Sequence, residues 1–419
     1  MNIIFISPNF PLHFWNFCDR LRRLGANVLG IGDCPYESLA NEVKSSVTEY
    51  YHVSSLEDYR EVYRAAAYYA WKYGKIDHVE SQNEYWLALE ARLRDDFNVP
   101  FGLRSKDMAA LQRKSQMKLA YKAAGVKTAG YRLIESRAGA REFASWAGYP
   151  VIIKPDKGVG ASHTYKVRSD EELRKVLQEI PADGSYIMEE YVPGHVETFD
   201  GITNADGKVL FYTGQVMAVT PLDMLSGAGE NVSWTQPVER VDDLRDAGFR
   251  TLKAFNVRSR FFHFEFFRLD EDKAGLGRRG DILGLEVNLR APGGYIPDKM
   301  DYAYNVDVYQ IWAESLVYGE NRSFPHPSFQ SYVTHFGRGA GTEYLHSADE
   351  VRREYAGRIL IDREPPKAIS GGMGSQVFVL RSEDPDGIRR QADGALTGGA
   401  RRRDQKCFLG AEEFFCVGE

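Results

Sequence analysis

The chain has 419 residues, of which 43% are hydrophobic and 27% charged, with a formal net charge of −6. Acids and bases are interspersed, which excludes the basic surface of a dedicated nucleic-acid binder, and no apolar run approaches the ~20 residues of a membrane span. The length suggests two or three domains.

Residues 3–7, IIFIS, read as a short buried strand. The opening MNIIFISPNF lacks a charged stretch before its apolar run, so a first strand is expected rather than a signal peptide. Phe14, Phe17, Leu21 and Leu24 recur at helical spacing, and Gly25 closes that helix. NVLGIGD is the next strand. This β-α-β opening is Rossmann-like. Its first turn, SPNFP, has no GxGxxG, so no dinucleotide is expected there. The alternation continues to about Pro100, with SSLEDYREVYRAAAYYAWKYG helical and IDHVES strand-like. Ser81 to Glu84 follow a strand's carboxyl end, where α/β sheets place ligands. Glu80 and Glu84 divide evenly between a solvated loop and a functional role.

Helices are expected at about 106–124. YPVIIKPDKGVGASHTYKV reads as strand, glycine loop, strand. SDEELRKVLQEI is a helix with a capping-box start, Ser169 followed three residues on by Glu172. YIMEEYV is a strand, and 195–290 are mostly strand. Within that stretch TPLDMLSGAGENVSWTQP (220–237) has no regular period and reads as a mobile substrate loop carrying Trp234. A helix runs from Asp301 to about Gly319. A proline-containing turn, SFPHPSF, and a mixed region follow. The last forty residues lose apolar density, and GGARRRDQ reads as a solvated or disordered tail. Cys18, Cys34, Cys407 and Cys416 show no CxxC spacing and are expected as free thiols in a reducing cytosol.

Four stretches carry chemistry. In LEVNLRAPGG, Glu286, Asn288 and Arg290 sit two apart, so a strand puts them on one face and Val287 and Leu289 on the other. Upstream, FFHFEFFRL puts Phe261, His263, Glu265 and Phe267 on one face. If the two strands pair around the polar loop 270–281, opposed residue numbers sum to about 551 and Glu265 faces Glu286. Like charges at ~4 Å and an effective dielectric of ~20 repel by about 4 kcal/mol. A divalent cation between them reverses the sign, and Asn288 adds a neutral oxygen. Carboxylate and carbonyl oxygens with no His or Cys suit Mg²⁺; the alternative is two edge-strand glutamates held in water. In KPDKGVGAS, Gly158, Gly160, Ala161 and Ser162 let a loop offer N–H groups to phosphate, with Lys154 as a fixed charge. An ordinary glycine hairpin is the alternative. In YIMEEYVPGHVE, the strand end at Glu189–Val192 and the later Glu197 suit a nucleobase edge and a ribose, or simply a strand, turn and strand. Lys114 in LQRKSQMK is a lone helical lysine.

Taken in this order, the four stretches resemble the ATP-grasp superfamily over about residues 1–320. The resemblance implies an α/β (α+β) chain in which a Rossmann-like domain (1–104) precedes a two-subdomain ATP-grasp fold (105–318), with a C-terminal region at 319–419. The glycine-loop subdomain would span about 125–192 and the metal-site subdomain about 195–318. It implies that Lys114 and Lys154 contact ATP phosphates and that the 157–162 loop, starting at Lys157, closes over them. Glu189, Glu190, Tyr191 and Val192 would form the adenine hinge, Glu197 would take the ribose, and Phe267 would pack on adenine. Glu265, Glu286 and Asn288 would hold Mg²⁺, with Mn²⁺ the alternative ion, and Arg290 would face the acyl phosphate. The implied activity is an ATP-dependent, cytoplasmic carboxylate–amine ligase acting on a small acid and a small amine, amino acids among them. No nucleic acid or membrane is involved, and a homodimer is allowed. A phosphotransferase or carboxylase using the same site, or a nucleotide-binding regulator without turnover, are the alternatives.

Overall fold

The structure, a computed structural model, describes residues 1–158, 163–218, 231–340, 342–365 and 373–396. Strands β1 (Asn2–Ile6), β2 (Asn27–Gly32), β3 (Glu49–His52) and β4 (His78–Glu80) form a parallel sheet in the order β3-β2-β1-β4. Ile3 to Ile6 and Val28 to Ile31 are buried on both faces, as a parallel sheet covered by helices requires. The helix Tyr59–Tyr73 starts where Asp58 accepts a hydrogen bond from the Arg60 amide and ends at Gly74, whose φ is 88°.

A second sheet is antiparallel. Strands β5 (Tyr131–Leu133), β6 (Val151–Pro155), β7 (Tyr165–Val167) and β8 (Tyr186–Glu190) lie in the order β5-β8-β6-β7. Val151, Ile153 and Met188 pack with the helices Arg137–Ala147 and Asp170–Glu179. Alternation therefore turns Ile152, Lys154 and Glu189 to the other face. Ser169 caps the second helix through the Glu172 amide, as expected.

The third sheet organises the molecule. Strands β9 (Gly194–Thr203), β10 (Val209–Met217), β11 (Asn231–Gln236), β12 (Phe261–Leu269), β13 (Ile282–Asn288), β14 (Tyr332–Arg338), β15 (Ile359–Arg363) and β16 (Gln376–Ser382) form it in the order β13-β12-β9-β10-β11-β14-β16-β15. One face carries Phe199, Phe262, Phe264, Phe266, Val287 and Leu289, packed against the helix Asp242–Ala254 and Tyr121. The opposite face is divided. Its apolar half, with Ile202, Phe211, Phe261 and Val333, packs under the helices Ile296–Tyr304 and Val308–Val317 and against Phe14 and Phe17 of the first domain. Its polar half carries the glutamates of the site.

Three sequence expectations are corrected. Residues 242–254 are helical within a stretch read as mostly strand; Leu244, Ala247, Gly248, Thr251 and Leu252 are buried at helical spacing. Trp234 belongs to β11 and is 4% exposed in a core cluster, not in a substrate loop; 219–230 lie outside the described residues. The helix expected from Asp301 to Gly319 is two helices, parted at Asn305 in the left-handed conformation (φ 53°). Beyond 318, β14, β15 and β16 continue the large sheet. GGARRRDQ, Cys407 and Cys416 lie outside the described residues. Cys18 and Cys34 are free thiols. Among the described residues no helix is long and apolar enough to cross a membrane.

The first domain is joined to the large sheet by buried charge. Arg260, just before β12, meets Glu80 at 3.2 Å and Glu90 at 3.1 Å, and Arg94 meets Glu90 at 2.7 Å and Glu80 at 3.3 Å; all four side chains are at most 1% exposed. Arg260 Nε also donates to the Leu289 carbonyl at 2.9 Å. Removing one member leaves a buried charge uncompensated. Arg260→Met should therefore lower unfolding free energy by about 3–5 kcal/mol, read as a shifted urea midpoint at constant slope. A loss under about 1 kcal/mol, the value of an exposed pair, would contradict the role given to this network.

Candidate functional site

The pairing of β12 with β13 sets Glu265 directly opposite Glu286 and His263 opposite Asn288. The register shifts just after Glu265, and Tyr121 fixes it there. Its hydroxyl donates to the Glu286 carbonyl at 3.0 Å and the Glu265 carbonyl at 3.3 Å. Gly284 leaves room for its ring: a Cβ at 284 would lie 2.6 Å from it. Nothing in the local sequence marks Tyr121, because its partners lie more than 140 residues away.

The charges around this pair are not symmetrical. Burial would raise the Glu265 carboxyl, but a hydrogen bond from His263, with the charges of His263, Arg290 and Lys154, holds it below its usual range. Burial raises Glu286, and the neighbouring Glu265 and Glu84 add to that against the opposing pull of Lys114 and Lys154. His263, which the sequence places on the Glu265 face but not among the donors, does lie beside Glu265: its Nε2 is 3.1 Å from that carboxylate, and its Nδ1 is 2.5 Å from the buried Asp200. Burial opposes its charge, but Asp200 and Glu265 raise its pKa to about 9.

Lysines face these carboxylates. Lys114 Nζ donates to the Gly158 carbonyl at 2.9 Å and lies 3.6 Å from Glu286. Lys154 reaches Glu189 at 2.9 Å, and Lys118 reaches the same carboxylate at 3.0 Å. Burial would raise Glu189, yet the two lysines hold it down at about 2. The Glu189 side chain thus anchors lysines, and its backbone pairs within the small sheet with Tyr131 and Ile152. Lys118 was missed. Its signal was available: it stands four residues after Lys114 on one helix, hence on the same face.

Beyond Glu189, the Glu190 carboxylate accepts from the Gly130 amide at 2.6 Å and meets Lys273 at 3.1 Å. Lys273 also donates to the Tyr191 carbonyl at 2.5 Å. Val192 and Phe267 share an apolar cluster with Ala129, Leu269, Leu276 and Leu283. Glu197 is gripped by Arg268 at 2.7 and 2.9 Å and approached by His195 at 3.4 Å, so both its oxygens have partners. Lys157 is exposed and forms a bridge with Arg113, and Gly158 has a φ of 144° that favours glycine. Gly160, Ala161 and Ser162 lie outside the described residues.

Arg290 stands two residues past the end of β13, not within it. Its guanidinium donates to Glu84 at 3.1 and 3.3 Å and to Asn288 Oδ1 at 3.4 Å. The Ala291 amide donates to Gln82 at 3.1 Å. Thus the segment after β4 supplies the groups that hold Arg290 at the rim of the carboxylate pair, and Glu84 is paired with Arg290.

Among the described residues no cluster of three or more His, Cys, Asp or Glu is placed to hold a metal. The donors present are two opposed carboxylates and an amide oxygen. They fit a hard divalent cation that takes its remaining ligands from phosphate or water. An anion binding here meets Lys114, Lys154 and Arg290 on one side and the apolar Val192–Phe267 cluster on the other. This arrangement suits a nucleoside polyphosphate.

No family model matches the chain. By sequence it is 22% identical over 258 residues to the L-arginine-specific L-amino acid ligase of Bacillus subtilis, which covers 58% of this chain; the chain spans 58% of that relative's length. By structure it is similar to an L-amino acid ligase from Bacillus licheniformis, with a TM-score of 0.70 at 15% identity, covering 94% of this chain and 97% of that one. It is also similar to a biotin carboxylase–β,γ-ATP complex from Campylobacter jejuni, with a TM-score of 0.66 at 14% identity, covering 93% and 89%. The small sheet with its lysines, the large sheet with its opposed carboxylates and these likenesses together establish that the chain has the ATP-grasp fold.

Proposed function

We propose that the chain is an ATP- and Mg²⁺-dependent carboxylate–amine ligase. In this reading residues 1–104 form a Rossmann-like first domain, and the catalytic unit begins at 105. Free thiols at Cys18 and Cys34 accord with a cytoplasmic enzyme. The observation that carries the reading is the in-register opposition of Glu265 and Glu286 beneath Lys114, Lys154 and Arg290. Two half-buried carboxylates placed face to face are unfavourable by themselves, and a cation with polyphosphate resolves the conflict.

Glu265, Glu286 and Asn288 are the residues that would hold Mg²⁺. When bound, the ion offsets phosphate charge and orients the γ-phosphoryl group. Lys114 and Lys154 hold the phosphate oxygens, and each is already fixed by a carbonyl or carboxylate partner, so little reorganisation is needed. Adenine packs between Val192 and Phe267, with the chain at Glu190–Val192 offering its edge hydrogen bonds. Glu197, with Arg268 and His195, projects from the sheet face opposite Glu265, and no ribose role is assigned to it. The Gly158 carbonyl, which accepts from Lys114, stands at the phosphate end of the site.

The substrate carboxylate attacks the γ-phosphorus, ADP leaves, and an acyl phosphate forms. The amine attacks its carbonyl carbon, phosphate leaves, and the ammonium proton departs to solvent or phosphate. Arg290 offers a planar, two-pronged donor to the acyl oxygen and the leaving phosphate. Glu84 keeps that guanidinium in place and adds the negative charge that an approaching ammonium group would meet.

Glu286→Gln should reduce turnover at least ~10²-fold, the scale of losing one preorganised electrostatic contact. Its melting temperature should be no lower than that of the wild type, because a like-charge contact is relieved. Turnover within a factor of about 2 of wild type, or undiminished wild-type turnover in excess EDTA, would contradict the assigned role. Arg290→Lys keeps the charge but loses the fork. It should lower kcat/KM for the acid at least ~10-fold while the thermal shift with Mg·ATP is unchanged. Equal kcat/KM in the two proteins would assign Arg290 only to its Glu84 pair.

A further inference from the structure

The face that carries Glu265 does not end at β12. Following the register across the sheet, Glu265 pairs with Thr198 on β9, Thr198 lies beside Gln215 on β10, and Gln215 pairs with Thr235 on β11. One step along, Ser233 pairs with His335 on β14. All five are at most 7% exposed. A sheet face buried under helices is ordinarily apolar, and the other half of this same face is. The polar strip continues directly from the catalytic carboxylates.

A cation sits over the strip. Lys299, from the helix Ile296–Tyr304, is 1% exposed, and its Nζ donates to Ser233 Oγ at 2.8 Å. Among the described residues no carboxylate lies within ion-pair distance of it. It feels Asp200 on β9 and His335 on β14, which lie on either side of Gln215's strand. Gln215 is fully buried, and neither its amide oxygen nor its amide nitrogen has a partner among the described residues. A buried lysine short of a counter-charge and a buried amide short of partners are each unfavourable alone, and here the lysine's partner Ser233 lies one diagonal step from Gln215 on the same face. Both are satisfied by one small anion with oxygen acceptors.

We propose that Lys299, Ser233 and Gln215 form the subsite that receives the carboxylate of the amine substrate, so that the amine is an amino acid or a related amino-carboxylate. The inference rests on the ligase reading above. The spacing supports it. Three strand separations, roughly 14 Å, lie between Glu265 and the Lys299 contact on Ser233. That span takes a metal-held phosphate, the acyl carbon and one extended acceptor residue of about 3.5 Å. The acid being activated would be too close to the phosphate to reach Lys299 with the same carboxyl group. Electrostatics agree as well: burial pushes Lys299 down to about 7 against the raising effect of Asp200, and a bound carboxylate would restore its charge.

The test uses the full chain with Mg·ATP and pairs drawn from the common amino acids, each offered as acceptor in its free-acid and carboxamide forms, with ADP release read out. In the wild type, free acids should outperform their carboxamides at least ~10-fold in kcat/KM. Lys299→Met, close in volume and apolar, and Gln215→Leu should each bring that ratio towards 1, by raising KM for the free acid and leaving the Mg·ATP thermal shift intact. Carboxamides serving as well as acids in the wild type would overturn the proposal. So would an undiminished preference in both variants, or no response to any amino acid. If Mg·ATP gives no thermal shift in the wild type, the ligase reading fails first, and this inference with it.

Discussion

Four buried charges hold the site together from outside it. Glu80 and Glu90 of the first domain and Arg94 and Arg260 form a closed network with at most 1% exposure. Arg260 ties this network to the backbone at Leu289, one residue before Arg290 and three after Glu286. The burial costs desolvation, and a close-packed apolar substitute could be as stable. What the charges add is placement: Glu80 and Glu90, already held by Arg94, meet Arg260 from the large sheet. That docking brings Gln82 to the Ala291 amide and Glu84 to Arg290. The rim of the site is therefore built at the domain junction, from residues that neither domain could position alone.

Inside the rim, the electrostatics are graded. Glu265 is held charged by His263, which is itself held by Asp200. Glu286 is raised by burial and by its neighbours. On the small sheet, Glu189 collects two lysines and aims them. In the proposed reading, each group that would meet phosphate or cation already has a protein partner fixing its direction, which is the preorganisation that electrostatic stabilisation requires. Tyr121 does the same for the backbone, tying the carbonyls of both glutamates to one hydroxyl.

Much of this was legible in the sequence where the governing contact is local. The alternation of Glu286, Asn288 and Arg290 against Val287 and Leu289 gave the correct face, and loop symmetry gave the Glu265–Glu286 register. Arg290 itself fell beyond the strand because Pro292 and the glycines end pairing early. What stayed hidden depends on topology. Glu84 and Arg290 are separated by 206 residues and Arg260 and Glu80 by 180, so no spacing rule connects them. Residues 242–254 were taken into a β region because their pattern is amphipathic but their surroundings are not. Strands β14 to β16 were left as a mixed region, although they complete the large sheet, because the sheet's order does not follow the chain. Lys118 could have been found from its helical phase with Lys114.

The central claim is chemical: the substrate carboxylate is activated by phosphoryl transfer, in a site whose paired glutamates and clustered cations are arranged around a polyphosphate. Isotope transfer tests it most directly. An acid substrate labelled with ¹⁸O in its carboxylate is turned over with ATP and its amine, and the released phosphate is analysed by mass. An acyl phosphate intermediate predicts one ¹⁸O in every phosphate released, with ADP as the nucleotide product. Unlabelled phosphate, or label recovered in AMP, would contradict the account.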